Sequence, residues 1–251
     1  MSVTNIQLTR KMLEYAKKHK LDVPRVSLSV QAWGKGKRTL AWRVSSHLRS
    51  HGKRVPEAAF RTNQLVSVFF PAPNFSIRRD YHAIHRSGTR SLSAINFIVL
   101  HDMECTAEDT AAEAVGSYFQ NPASGGSTNY GVDNNSIQCY LADNVIPWGA
   151  PGANTDGVHI EQMGTASWST KEWFKHAEGT LDRTAWLIAK LAKKLDIPVR
   201  RLSDRQVKSR QQGVVTHAQL SRCLGGTHTD PGNGYPLDWV MSRAEFYRDL
   251  I

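Results

Sequence analysis

Cysteine is scarce: the 251-residue chain has three, Cys105, Cys139 and Cys223, and no CxxC pair. That excludes a disulfide-stapled scaffold and a cysteine zinc knuckle, and it suits a reduced compartment. Long apolar runs are missing as well. No stretch approaches the roughly 18 to 20 residues that a membrane span requires, and the opening MSVTNIQLTRKMLEYAKKHK lacks the apolar core of a signal peptide. The expectation is a product made soluble in the cytoplasm, which needs another agent to let it out if its target lies elsewhere. Internal repeats and low-complexity tracts are also absent. Acidic residues are nearly missing from the front third: residues 1–90 hold 18 Lys and Arg against 4 Asp and Glu, a net +14, while residues 91–251 hold 14 against 18, a net −4. A basic face of this kind draws polyanions or membrane surfaces, or simply confers solubility.

What is present divides at a proline-containing segment. Residues 5–21 carry Ile6, Leu8, Met12, Leu13, Tyr15 and Ala16 among Arg10, Lys11, Lys17 and Lys18, the pattern of an amphipathic helix. Trp33 and Trp42 then alternate with cations, a combination that stacks on sugars or bases, or forms a small core with a solvated rim. FFPAPNF at residues 69–75 has two prolines and no helical period, so it marks a boundary. Two units follow: a small, basic, mainly helical one over 1–70 and a larger one over 71–251.

The larger unit alternates in α/β fashion. INFIVL at residues 95–100 has strand length and ends at His101. A helix is expected to open at Thr106, with Asp109 as a variant capping box, and to stop at Asn121-Pro122. Strands are expected over 136–141 and 157–163, and one long helix over 171–195, where Trp173, Phe174, Ala177, Leu181, Trp186, Ala189 and Ala192 recur at helical spacing. Val214 and Val215 suggest a short strand leading into Thr216 and His217, and a last helix is expected from Ser242, with Glu245 completing its capping box. His101 and His217 then sit at strand ends and Glu161 within a strand, so the three converge on the crevice that such a sheet forms. Alternation along the strand also turns His159 to the same face as Glu161.

IVLHDME, STNYGVD, PWGAPGANTDGVHIEQMG, VVTHAQLS and HTDPGNGYP occur in this order. Together they resemble the type 2 zinc amidases, the N-acetylmuramoyl-L-alanine amidase family that also includes peptidoglycan recognition proteins. The likeness is strongest to amidase modules of endolysins from phages of actinobacteria, and it runs from about residue 78 to the C-terminus. It implies an α/β fold with a mixed central sheet flanked by helices, and one Zn²⁺ per chain held by His101, His217 and Asp230. Three N or O ligands with an open fourth position are what a catalytic zinc uses. The resemblance also implies Glu161 as the residue that moves protons in the cleavage.

His228 stands where many members of the family have a lysine two residues before the last acidic ligand. It is the candidate to stabilise the oxyanion, and it competes with Asp230 as a possible ligand. Asn129 and Gly149 stand where the family often has histidines. Asn129, Tyr130, Trp148 and His159 are candidates for substrate contact, the aromatic ones as packing surfaces for sugar or stem peptide. Cys105 and Cys223 lie near the ligands in sequence, which leaves each a minor candidate as a ligand.

The implied function is bacteriophage host lysis: a monomeric peptidoglycan hydrolase cutting between N-acetylmuramic acid and L-alanine, reaching the wall through a holin-type lesion. The alternative is a recognition protein of the same fold that binds peptidoglycan without cutting it. The basic unit is then a wall-binding or regulatory module with an affinity for acidic wall polymer or nucleic acid.

Overall fold

The structure is a computed structural model that describes residues 75–248 and 251. The helix expected over 5–21, Trp33, Trp42 and the basic unit over 1–70 lie outside the described residues. Within them, five strands make one mixed sheet: β1 (Phe97–Leu100), β2 (Tyr130–Val132), β3 (Ile137–Cys139), β4 (Gly157–Gln162) and β5 (Gly213–Thr216), in the order β3-β2-β4-β1-β5. β2, β4, β1 and β5 run parallel, and β3 pairs antiparallel with β2. The strands in the middle have almost no solvated face. Every residue of β1 is buried, as a near-continuous apolar run in a sheet covered on both sides should be.

Helices cover the sheet. On one face Phe97, Val99 and Val215 pack with Leu202, with Val207 of α4 (Asp204–Lys208) and with Leu220 of α5 (His217–Leu224). α3 (Glu178–Leu195) contacts β1, β2 and β4 and buries eleven residues, among them Leu181, Trp186 and Ile188. α6 (Leu237–Arg248) lies along α3, where Asp182 accepts hydrogen bonds from Tyr247 Oη at 2.7 Å and Arg243 Nε at 2.5 Å. α1 (Ala111–Phe119) packs on β2 and β3.

Three expected helices have different bounds, and each difference has a long-range cause. α1 begins at Ala111 rather than Thr106, and a distant residue serves one of its leading N–H groups while others take up the carbonyls before it. Ala112 N–H donates to Asp133 Oδ2 at 3.1 Å, and the Glu108 and Asp109 carbonyls accept from Asn134 N–H and Asn135 Nδ2 instead of continuing a helix. The long helix is two: α2 (Thr170–His176), with a capping box formed by Ser169 and Glu172, and α3, with a break at Ala177 (φ −125°, ψ 21°). Asn134 occupies that break. Its Nδ2 donates to the His176 carbonyl at 2.7 Å, and its Oδ1 accepts from Thr180 N–H and Oγ1, both at 3.0 Å. α6 starts at Leu237, directly after Pro236, so Ser242 and Glu245 lie inside it and form no cap.

Candidate metal centre and cleft

Parallel strands in register bring the reactive groups together. Leu100 pairs with Ile160 on one side and Thr216 on the other, so the next residues along, His101, Glu161 and His217, lie side by side at the C-terminal ends of three adjacent strands. His217 is also the first residue of α5, where the Thr216 side chain caps the helix through Gln219 N–H. Asp230 arrives on a loop that is tied down independently. Its carbonyl accepts from Ala218 N–H at 2.8 Å. A second tie runs through Gln162, whose Nε2 donates to the His101 carbonyl at 2.9 Å while its Oε1 accepts from Tyr235 Oη at 2.6 Å.

The side chains meet at the Asp230 carboxylate. His101 Nδ1 lies 3.2 Å from Oδ2, and His217 Nδ1 lies 3.1 Å from both oxygens. One donor atom from each of the three residues falls within 4.8 Å of the others. Burial alone would raise the Asp230 pKa, yet hydrogen bonds from the two imidazoles outweigh it and hold the carboxyl well below the ordinary range. His101 is driven the other way: burial lowers its proton affinity, opposed by the bond to Asp230 and reinforced by the nearby His217 and His228. Two imidazoles converging on a carboxylate are the donor set a divalent zinc ion takes, so the residues present fit such a cation. Cys105 and Cys223 stand outside this cluster. Cys105 pairs through its backbone with Gly164, and the Cys223 thiol faces the Asp204 carbonyl at 3.9 Å.

A cleft of about 470 Å³ opens over the cluster, with Glu161, Asp102, His228 and Trp148 among its lining residues. Glu161 Oε2 is buried with no hydrogen-bond partner. Burial, helped by the charges of Asp230 and Asp102, pushes its carboxyl well above the usual carboxylate range. That combination is what a proton-transfer group requires, because a carboxyl already satisfied by fixed donors has little reason to exchange protons. His228 is largely exposed. Its ring stacks on His217 at 3.9 Å between centroids, with Nδ1 3.5 Å from Asp230 Oδ1, and it lies outside the three-residue cluster.

Of the four residues expected to contact substrate, only Trp148 lines the cleft. It is 44 % exposed, stacks on His85 at 4.9 Å and donates from Nε1 to Ser87 Oγ at 2.7 Å. The expectation is corrected for the other three, which are buried and do not line the cleft. Asn129 Nδ2 donates to the carbonyls of Ala142 and Val145, and its Oδ1 accepts from His159 N–H. Tyr130 Oη donates to Asp143 at 2.7 Å. His159 sits behind His101, with Nδ1 3.0 Å from His101 Nε2. Strand alternation does turn His159 toward the site, but His101 stands between it and the cleft.

Asp102 is a cleft residue that sequence reasoning passed over, although it directly follows His101. Its Oδ1 accepts from Glu104 N–H at 3.0 Å while Oδ2 is buried without a partner. Burial chiefly, with the charges of Glu104 and Asp230 adding and the Glu104 N–H opposing, pushes its carboxyl up to about 7. A raised folded-state pKa means that the associated stability is fully present below the unfolded value near 4 and is lost as pH rises through about 7. Asp102→Asn should therefore leave the metal-free protein little changed at pH 4 and make it relatively more stable at pH 8, by roughly 1–2 kcal/mol after allowance for solvent screening. Urea unfolding at the two pH values measures this, and a difference that does not grow with pH would remove the account.

Comparison with known proteins identifies the family. The family model for N-acetylmuramoyl-L-alanine amidase matches residues 91–233. An endolysin of Listeria phage A511 is 26 % identical over 160 residues, which are 63 % of this chain and 45 % of that protein, so the match spans less than half of the endolysin's length. The crystal structure of Staphylococcus aureus hydrolase AmiA, in complex with its ligand, superimposes with a TM-score of 0.54 over 81 % of this chain and 89 % of that one, at 18 % identity, a likeness of fold. The matched segment covers more than half of the chain and contains His101, Glu161, His217 and Asp230, and on that basis this chain belongs to the N-acetylmuramoyl-L-alanine amidase family.

Proposed function

We propose that this chain is a zinc-dependent N-acetylmuramoyl-L-alanine amidase with the role of a phage endolysin, hydrolysing the amide between the lactyl group of N-acetylmuramic acid and L-alanine in peptidoglycan. The observation that carries this is the Asp230 carboxyl held between two histidines, with the unpartnered Glu161 Oε2 in the same open cleft. His101, His217 and Asp230 would hold the ion, which when bound supplies Lewis acidity and lowers the pKa of water toward neutrality.

The remaining work falls to side chains. Glu161 takes the proton of the attacking water and delivers it to the departing L-alanine amine. His228, solvated and above the cluster, donates a hydrogen bond to the oxygen that gains charge as the carbonyl becomes tetrahedral. Trp148, braced by His85 and Ser87, packs against sugar or stem peptide. Residues 1–70, as an accessory unit carrying much of the +14 charge of the front third, would hold the enzyme on an acidic wall polymer. Release to the wall through a membrane lesion is the setting that the related phage endolysin supports.

Digestion of purified cell walls tests the reading. New L-alanine amino termini should accumulate without new sugar reducing ends, stop on chelation and resume when zinc is restored. Wall binding with no cleavage would favour the non-hydrolytic recognition protein, and new reducing ends would mean that a glycosidic bond is cut instead.

A further inference from the structure

We propose that His159 is a positioning residue for the metal centre: its Nδ1 accepts the Nε2–H of His101 and so turns the His101 Nδ1 lone pair toward the cation. The inference rests on the metal reading above. The two imidazole nitrogens are 3.0 Å apart and both rings are buried. A cation on Nδ1 of a neutral imidazole leaves the hydrogen on Nε2, so the direction of this bond follows from the chemistry of ligation. An outer partner of this kind holds ring orientation and keeps the ligand in one tautomer.

The surroundings are shaped for the second ring. A Cβ at Gly149 would stand 2.7 Å from His159 Nδ1, and one at Gly157 would stand 2.8 Å from Nε2, so the imidazole fits because both neighbours are glycine. Asn129 clamps the backbone from the adjacent strand, accepting His159 N–H on Oδ1 at 3.0 Å and donating its own N–H to the His159 carbonyl at 3.1 Å. This held ring is an expensive residue for packing alone, since His159 Nε2 is buried without a hydrogen-bond partner. An aliphatic side chain would fill the space without that penalty. What it could not do is accept a hydrogen bond from His101.

Zinc affinity of the full chain, measured by competition with a chromophoric chelator, tests the assignment, with thermal unfolding of the metal-free proteins in parallel. His159→Leu keeps the volume and removes the acceptor; zinc binding is expected to weaken by roughly tenfold to a hundredfold while the metal-free unfolding temperature holds or rises. His159→Asn places an acceptor near the lost Nδ1 and should recover most of the affinity. His159→Gln keeps polarity and size but moves its amide to the far ring position, so it should behave like the leucine variant, and it serves if that variant does not fold. Parent-like zinc affinity in folded leucine or glutamine variants, or an asparagine variant as weak as both, overturns the positioning role. A parent chain that takes up no zinc is a different result and overturns the metal reading itself.

Discussion

Replacing His217 with alanine is expected to empty the metal centre and to lower wall hydrolysis on the order of a thousandfold. The magnitude follows from the several kcal/mol that a Lewis acid contributes to a polarised carbonyl, with each 1.4 kcal/mol worth a factor of ten. The loss should be cooperative because His217 also supports its neighbour. Its Nδ1 is 3.1 Å from both Asp230 oxygens, and without it the carboxylate keeps His101 as its remaining close buried partner. Metal analysis of the purified variant is the direct measurement, and unfolding with and without zinc is a second. An ion that binds only the folded state stabilises it by about 4 kcal/mol at a thousandfold excess over its dissociation constant, so the parent should show this gain and the variant should not. His228 needs a control, because its ring lies flat on His217 at 3.9 Å and could move into the vacated position. The pair His217→Ala, His228→Ala removes that route. One zinc per chain together with parental activity in this double variant would end the case for the centre.

Glu161→Gln should act on a different quantity. The substitution keeps the shape and removes the group that takes up and releases the proton, so kcat is expected to drop by about a hundredfold to ten-thousandfold with little change in KM or zinc content. Stability offers an independent reading. The Glu161 carboxyl is pushed well above its usual range by burial and by Asp230 and Asp102, so at neutral pH its ionised form opposes folding in the absence of metal. Removing that charge should leave the metal-free protein at least as stable as the parent at pH 8. A variant that folds, binds zinc and still cleaves at a third of the parental rate or more would show that the proton passes through another group, and Asp102, which lines the same cleft, is the next to test.

These two residues illustrate what was legible from the chain alone. Apolar runs marked β1 and β5 to within a few residues, because a strand buried on both faces is largely apolar along its length. His101 and His217 stood out because each polar residue closes such a run. Helix limits were less accessible. α1 is capped by Asp133 from 21 residues away, and Asn134 holds open the gap between α2 and α3. Local propensity says nothing of a partner supplied by a distant turn. The same limit explains the substrate candidates: Asn129, Tyr130 and His159 are polar or aromatic residues in site-like motifs, and their partners inside the protein became visible only with the fold.

The order of motifs, the strand-end histidines and the strand-borne glutamate were settled by the sequence, since each depends on residue type and short-range spacing. Tertiary structure decided which side chains share the cleft and which serve as supports behind it. Register between β1, β4 and β5 places His101, Glu161 and His217 side by side, and a loop anchored on α5 brings in Asp230. A period of two along a strand states which face a residue occupies. How deep it lies on that face is set by what packs in front of it, and for His159 that is His101.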